Sequence, residues 1–414
     1  MPGVELNVFA LIILVALFLD YSLGMAANIL NLKALVLEVP GDLDGVYKPE
    51  DYRRSQEYTR VATRFGFVTG TFTLVVTLSF WFAGGFAFLD GLVRGWGLPT
   101  LINGLLYIGI LLAGYGLLTI PFSIYHTFVL EQRFGFNRTT AKTFLLDRLK
   151  GLGLALVLGV PLMAAALALL EYAGSYAWLY VWATVTVVSF IVQFVAPVWI
   201  MPLFNKFTPM PAGELRDAIL DYARSVDFPV KNVFVVDSSR RSSRSNAFFT
   251  GFGSNKRIAL FDTLTQQHTV PEIVAVLAHE IGHYKKKHVL QGTVMGVVQT
   301  GIVLFLLSVF LRSTGLYAAF AISQPSVYTG LVFFGLLYTP LQLVLSVVLQ
   351  AISRRNESAA DRFAAATVKE RSSLADALKK LSANNLSNLT PHPFYVFLSY
   401  SHPPLLQRVR AILT

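Results

Sequence analysis

The sequence predicts an all-α polytopic membrane protein, seven transmembrane helices carrying a cytoplasmic α+β domain. Three observations predict it. Of 414 residues, 54% are hydrophobic and 14% charged, with a mean hydropathy of +0.56, too apolar for a water-soluble chain of this length. Seven apolar runs, at 8–23, 67–89, 101–124, 152–170, 177–204, 289–311 and 327–352, each approach the length that crosses a core of about 30 Å. The connections between the runs alternate in basic charge. An aromatic content of 13%, with 32 Phe and 17 Tyr, suits lipid-facing surface and interfacial belts.

The elements follow in order. Before the first run stands Glu5 and no Lys or Arg, so the run reads as a retained span rather than a cleaved signal. The connection after it carries Lys33, Lys48, Arg53, Arg54, Arg60 and Arg64, whereas the next holds Arg94 alone. Arg133, Arg138, Lys142, Arg148 and Lys150 follow the third run, and residues 171–176 after the fourth have no basic residue. The stretch 205–288 is basic, the connection after run six carries only Arg312, and the tail is basic again. The positive-inside rule then places the N-terminus outside and the C-terminus in the cytoplasm, a parity that requires seven spans. The net charge of +10 belongs to those loops facing anionic lipid, not to nucleic-acid binding. Four segments result: 1–204, spans one to five with cytoplasmic loops one and three; 205–288, a cytoplasmic segment; 289–352, spans six and seven; and 353–414, a cytoplasmic C-terminal segment.

Within 205–288 the pattern predicts an amphipathic helix over 212–226, then strands at 232–237, within 246–253 where the strand ends in a turn, and at 257–261, a small antiparallel sheet. The polar run 238–245 reads as an exposed loop. A mostly apolar helix follows. Thr269 and Glu272 have capping-box spacing, and Pro271 suits a first turn.

That helix carries His279-Glu280-Ile281-Gly282-His283. Residues four apart share a helix face, so the two imidazoles can meet one metal ion, and Glu280 stands where a carboxylate can take a proton from activated water. With no cysteine in the chain, any zinc must be held by His, Glu or Asp. Five residues recur by chance, so the pattern needs partners. Glu357 and Asp361, four apart just past the last span, supply them: one carboxylate can bind metal and the other can accept the free N–H of a ligating histidine. Read alone, the pair is better taken as a solvated juxtamembrane acid couple screened by Arg354 and Arg355; the His-Glu-x-x-His helix in the same region favours the ligand reading.

With these residues, Asn246-Ala247-Phe248, Phe134-Gly135-Phe136-Asn137 and Ser401-His402-Pro403-Pro404 with Arg408 complete a set that resembles the type I CAAX prenyl protease family, integral-membrane zinc metalloproteases of the a-factor-converting type. The matches run in order through most of the chain. The resemblance implies spans enclosing an intramembrane chamber, with one zinc ion at its cytoplasmic end held by His279, His283 and Glu357. It implies Glu280 as general base and Asp361 behind His279. It implies His402 as oxyanion donor supported by Arg408, and Asn246, Ala247 and Phe248 on an edge strand that pairs with the substrate backbone. Partners would be a peptide or protein, prenylated or not, and membrane lipid; a monomer is expected.

Cleavage near the C-terminus of prenylated proteins is the first functional expectation. A prenyl-independent protease for membrane-protein quality control is the alternative, and a transporter with a structural metal site is remoter. The compact loops and the missing Lys-Asp-Glu-Leu signal favour a prokaryotic plasma membrane, with the endoplasmic reticulum if the host is eukaryotic. His288 reads as an interfacial residue, His268 and His392 as surface-loop residues, and His126 as facing either the chamber or headgroups. Asp20, inside the first run, must face protein or water rather than lipid.

Overall fold

In a computed structural model the chain is described at residues 3–36, 38–39, 41, 47–230, 232–250 and 257–414. The apolar runs become long helices: α1 Val8–Lys33, α2 Pro49–Phe82, α3 Gly85–Gly95, α4 Thr100–Glu131, α5 Ala141–Tyr172 and α6 Gly174–Phe204. After the sheet domain come α10 His288–Phe310, α11 Thr314–Ala318, α12 Val327–Leu337 and α13 Thr339–Thr367. Six of these helices are long and apolar enough to cross a membrane, and α12 with α13, bent by 52°, makes the seventh if the pair is one span. The bend falls at Tyr338, just before Pro340. Proline removes a helical donor and its ring clashes with the preceding turn, which is what breaks the run.

Two departures from the expected boundaries have local causes. The basic connection after span one is largely helical, because Pro49 with Glu50 and Asp51 gives α2 a first turn well before its apolar part. The run at 67–89 is interrupted at Gly84, whose φ of 75° ends α2 and starts α3.

The crossing helices form a wall rather than a packed bundle. No more than 17% of their most apolar eighteen residues is buried, so both faces stay open. On α4, Tyr115 and Leu117 lie on opposite faces and are 53% and 68% exposed. Tyr115 looks into a cavity of about 830 Å³ between α1, α2 and α4, which Asp20, Asn28, Thr69, Thr73 and Thr119 also line. Asp20 therefore faces a polar space, as its cost in hydrocarbon requires. A packed apolar plug closes the end farthest from the sheet: Trp81, Tyr107, Phe320, Tyr328 and Phe333 are fully buried, and Tyr328 donates to Asp90 Oδ1 at 2.6 Å.

The sheet domain contains β1 Phe207–Pro209, α7 Glu214–Ser225, β2 Asn232–Val236, β3 Ala247–Thr250, β4 Arg257–Phe261, α8 Asp262–Gln267 and α9 Val270–Lys285. Strand order is β1-β2-β4-β3. The sheet is mixed, not antiparallel: β1 pairs antiparallel with β2 and β3 antiparallel with β4, but β2 and β4 run parallel. β3 lies between β2 and β4 in sequence yet takes the outer edge, so β4 returns beside β2 in the same direction. β1 has three residues, too few for a period to register. The turn expected at the end of 246–253 lies outside the described residues.

Residues 238–245 are not an exposed loop. Ser238 and Ser245 are buried, Arg241 forks onto Asp147, and Arg244 reaches Glu131 with its guanidinium 4.4 Å from the Phe136 ring. Asn137 bridges Ser242, and Arg54 donates to the Phe134 carbonyl at 2.6 Å. The Phe134–Asn137 motif is thus the joint between the span connection and the sheet domain. Protein groups, not water, satisfy this polar run, which composition alone cannot disclose. The chain ends in α14 Arg371–Asn384, α15 Pro393–Ser399 and α16 Leu405–Leu413. α14 and α16 share one apolar core with α7, the sheet and α9.

Candidate metal centre and active site

α9 is a buried helix because its sequence makes it one. The Thr269–Glu272 capping box satisfies its first donors, and Ile273, Ala275, Leu277, Ala278 and Ile281 fill the domain core. It packs along α13, the helix that leaves the membrane. Gly282 sets their separation: a Cβ there would meet the Ala360 carbonyl at 3.1 Å and Phe363 at 3.1 Å. Gly282→Ala should push α13 outward, lower stability by about 1–3 kcal/mol and weaken metal binding. Thermal melting and chelator competition would check this; wild-type values in both would refute it.

The close approach brings three side chains to one point. His279 Nε2 and His283 Nε2 are 3.2 Å apart; Glu357 Oε2 lies 3.3 Å from the first and Oε1 3.2 Å from the second. Their donor atoms all fall within 4.8 Å of one another. Asp361 Oδ1 stands 2.8 Å from His279 Nδ1, which places the ring proton there and turns the Nε2 lone pair toward Glu357. Glu357 Oε2 is buried without a hydrogen-bond partner. Lone pairs converging on a buried carboxylate oxygen that accepts no hydrogen bond repel unless a cation sits among them. Burial alone would lower the His279 imidazole, but the Asp361 and Glu357 carboxylates facing its two nitrogens push it up to about 9. The pocket is built to hold positive charge, and two nitrogens with one carboxylate, the remaining position open, fit a catalytic metal ion.

The other expected residues surround this point. Glu280 is half-buried and, among the described residues, its carboxylate has no hydrogen-bond partner; burial raises its pKa above the ordinary value. His402 Nε2 lies 3.4 Å from Glu357 Oε1, while its Nδ1 is 2.7 Å from Ser401 Oγ. Arg408 forks onto Asp361, Nε to Oδ2 at 2.8 Å and Nη2 to Oδ1 at 2.7 Å, with Nη2 3.8 Å from Glu357. Its hydrogen bonds go to Asp361 rather than to His402. β3 is an edge strand packed on α9. Asn246 accepts from Phe261 N across to β4 and caps Ala247 N with its side chain. By antiparallel alternation, Phe248 bonds inward, and Ala247 and Phe249 turn backbone groups to the open edge.

Three histidines make contacts that the sequence does not disclose. His268 is buried, its Nδ1 3.4 Å from Glu272, and burial lowers its pKa. His392 caps α15, its Nδ1 accepting from Phe394 N. His288, expected at the membrane interface, stands 3.1 Å from His283, Nδ1 to Nδ1. The apolar helix context of the metal motif was readable; these tertiary contacts leave no local signal. His126 is half-exposed, with Nε2 3.8 Å from Glu131.

Comparison with known proteins agrees with this architecture. Residues 28–206 match the family described as CAAX prenyl protease N-terminal, five membrane helices, and residues 209–414 match peptidase family M48. An Arabidopsis thaliana CAAX prenyl protease 1 homolog is 38% identical over 390 residues, covering 90% of each chain. The Homo sapiens CAAX prenyl protease 1 homolog is 32% identical, over 91% of this chain and 89% of its own. The crystal structure of S. mikatae Ste24p superposes with a TM-score of 0.93 at 32% identity, covering 99% of this chain and 100% of that one. With family matches along nearly its whole length and the His279–His283–Glu357 cluster where α9 meets α13, the chain belongs to peptidase family M48 and is a membrane-embedded metalloprotease.

Proposed function

We propose that the protein is a zinc endopeptidase that cleaves near the C-terminus of prenylated CAAX-type proteins, with its active site on the cytoplasmic side. The observation that carries the reading is the convergence of His279, His283 and Glu357 on one point, with an uncommitted Glu280 beside them. The names of the plant and human relatives support the substrate class. The alternating basic charge of the shorter connections supports the orientation.

His279, His283 and Glu357 would hold the ion. When bound, zinc supplies Lewis-acid activation of water and of the scissile carbonyl near neutral pH. Asp361 fixes the His279 tautomer, and Arg408 fixes Asp361. An extended substrate adds to the free edge of β3 through main-chain hydrogen bonds, which position it with little regard to sequence. Glu280 takes the proton from the attacking water and delivers it to the leaving amine nitrogen. In the tautomer with Nε2 protonated, His402 Nδ1 accepts from Ser401 Oγ–H, and the Nε2–H aimed at the cluster stabilises the developing oxyanion.

His402→Ala should therefore lower kcat by about 10²–10³-fold, the usual loss for one oxyanion donor, with metal content unchanged. A loss confined to KM would remove His402 from that role. The substrate reading is tested by comparing farnesylated and unmodified forms of one CAAX peptide on detergent-purified protein. Preference for the farnesylated peptide is expected. Equal cleavage of both would overturn the prenyl requirement and favour general membrane-protein turnover.

A further inference from the structure

We infer that His288 is a positioning residue for the metal centre: its Nδ1 accepts the Nδ1–H of His283 and so holds His283 Nε2 as a lone-pair donor aimed at the ion. The inference rests on the reading of His283 as a ligand, and adds a partner to it.

The two histidines of α9 face the same requirement and meet it differently. A ligating imidazole needs its other nitrogen protonated, and a partner for that proton fixes both tautomer and ring plane. Asp361 does this for His279, at 2.8 Å from Nδ1. Among the described residues no contact joins Asp361 to His283; its oxygens meet His279 and Arg408. For His283 the sole hydrogen-bond partner at Nδ1 among the described residues is His288 Nδ1, at 3.1 Å. Two ring nitrogens that close require one donor and one acceptor. His283 Nε2 is the nitrogen turned to Glu357 and to His279 Nε2, so it carries the lone pair and its proton sits on Nδ1. His288 must then accept at Nδ1 and keep its own proton on Nε2.

The backbone is arranged for this contact. In an unbroken helix, residue 288 would point about 140° away from residue 283 and more than a turn beyond it. Instead, α9 ends at Lys285 and α10 begins at His288, with Lys287 between them at a φ of 59°. A lysine in the left-handed region is an uncommon choice. It redirects the chain so that the first residue of α10 meets His283 of α9, with the rings edge to face at 5.1 Å and 72°. Lys285 is occupied elsewhere, its Nζ 3.2 Å from the Asp227 carbonyl. His288 is not a fourth ligand in this arrangement. It meets the nitrogen of His283 that points away from the cluster, and the group that closes on one point is His279, His283 and Glu357.

Zinc affinity, measured by chelator competition on the full-length protein in detergent, tests the inference without relying on activity. His288→Ala should weaken zinc about 10–100-fold, the usual cost of losing a partner behind a ligand. In His288→Asn the side-chain oxygen falls where the histidine Nδ1 stood and can accept the same proton, so most of the affinity should return. His283→Ala separates the two readings. If it keeps wild-type affinity, His283 is not a ligand and the metal-site assignment fails. If it loses zinc while His288→Ala keeps affinity within twofold of wild type, only the present inference falls. Failure of asparagine to rescue also overturns it, and so does a lowered melting temperature of the metal-free His288→Ala protein large enough to account for its zinc loss.

Discussion

Glu280→Gln is expected to keep its metal and lose its protease activity, by about 10²–10⁴-fold in kcat, the range general acid–base catalysis supplies. The substitution keeps shape and removes only the ability to take a proton. It leaves the proposed ligands alone, since His279, His283 and Glu357 form the cluster that closes on one point. Nor does it break a structural bond, because the Glu280 carboxylate has no hydrogen-bond partner among the described residues. Burial that raises its pKa also suits a base that must give the proton up again. Metal content by elemental analysis and cleavage of a single peptide, wild type beside variant, decide the matter. Activity within tenfold of wild type would remove Glu280 from the base role. Metal lost together with activity would mean that it supports the ligands instead. A transporter with a structural metal would show no peptide cleavage in either protein.

What the sequence disclosed, and what it did not, follows the range of the interactions. The spans, the α9 capping box and the shared face of His279 and His283 are local patterns, set by residues within a turn or two. The ligand pairing of α9 with α13 spans 78 residues between His279 and Glu357 and became visible only because both halves carry i,i+4 pairs of metal-binding type. His288 escaped because its contact with His283 depends on the left-handed turn at Lys287, a backbone conformation that lysine does not advertise. His268 and the run 238–245 escaped because a polar residue reads as exposed unless its buried partner is known, and those partners are Glu272, Asp147 and Glu131. The parallel pairing of β2 with β4 escaped because strand direction belongs to topology, not to side-chain alternation.

The largest expected loss of stability comes from Arg408→Met. Arg408 and Asp361 are 12% and 4% exposed at their side chains and share two hydrogen bonds, tying the last helix, α16, to α13 directly behind His279. Removing one partner of such a pair leaves a buried charge uncompensated and costs about 3–5 kcal/mol, more than the pair itself contributes. Methionine matches the apolar stem, so the loss reports the charge rather than a hole. Released from its clamp, Asp361 also holds His279 less firmly, and zinc affinity should fall about 10–100-fold. The double variant Arg408→Met with Asp361→Leu separates these effects. Replacing both charges with apolar groups should recover most of the stability, while zinc affinity stays low because nothing then receives the His279 Nδ1 proton. Recovery of both would show that the pair acts on the metal only through the fold. Recovery of neither would show that α16 depends on Arg408 through contacts other than Asp361.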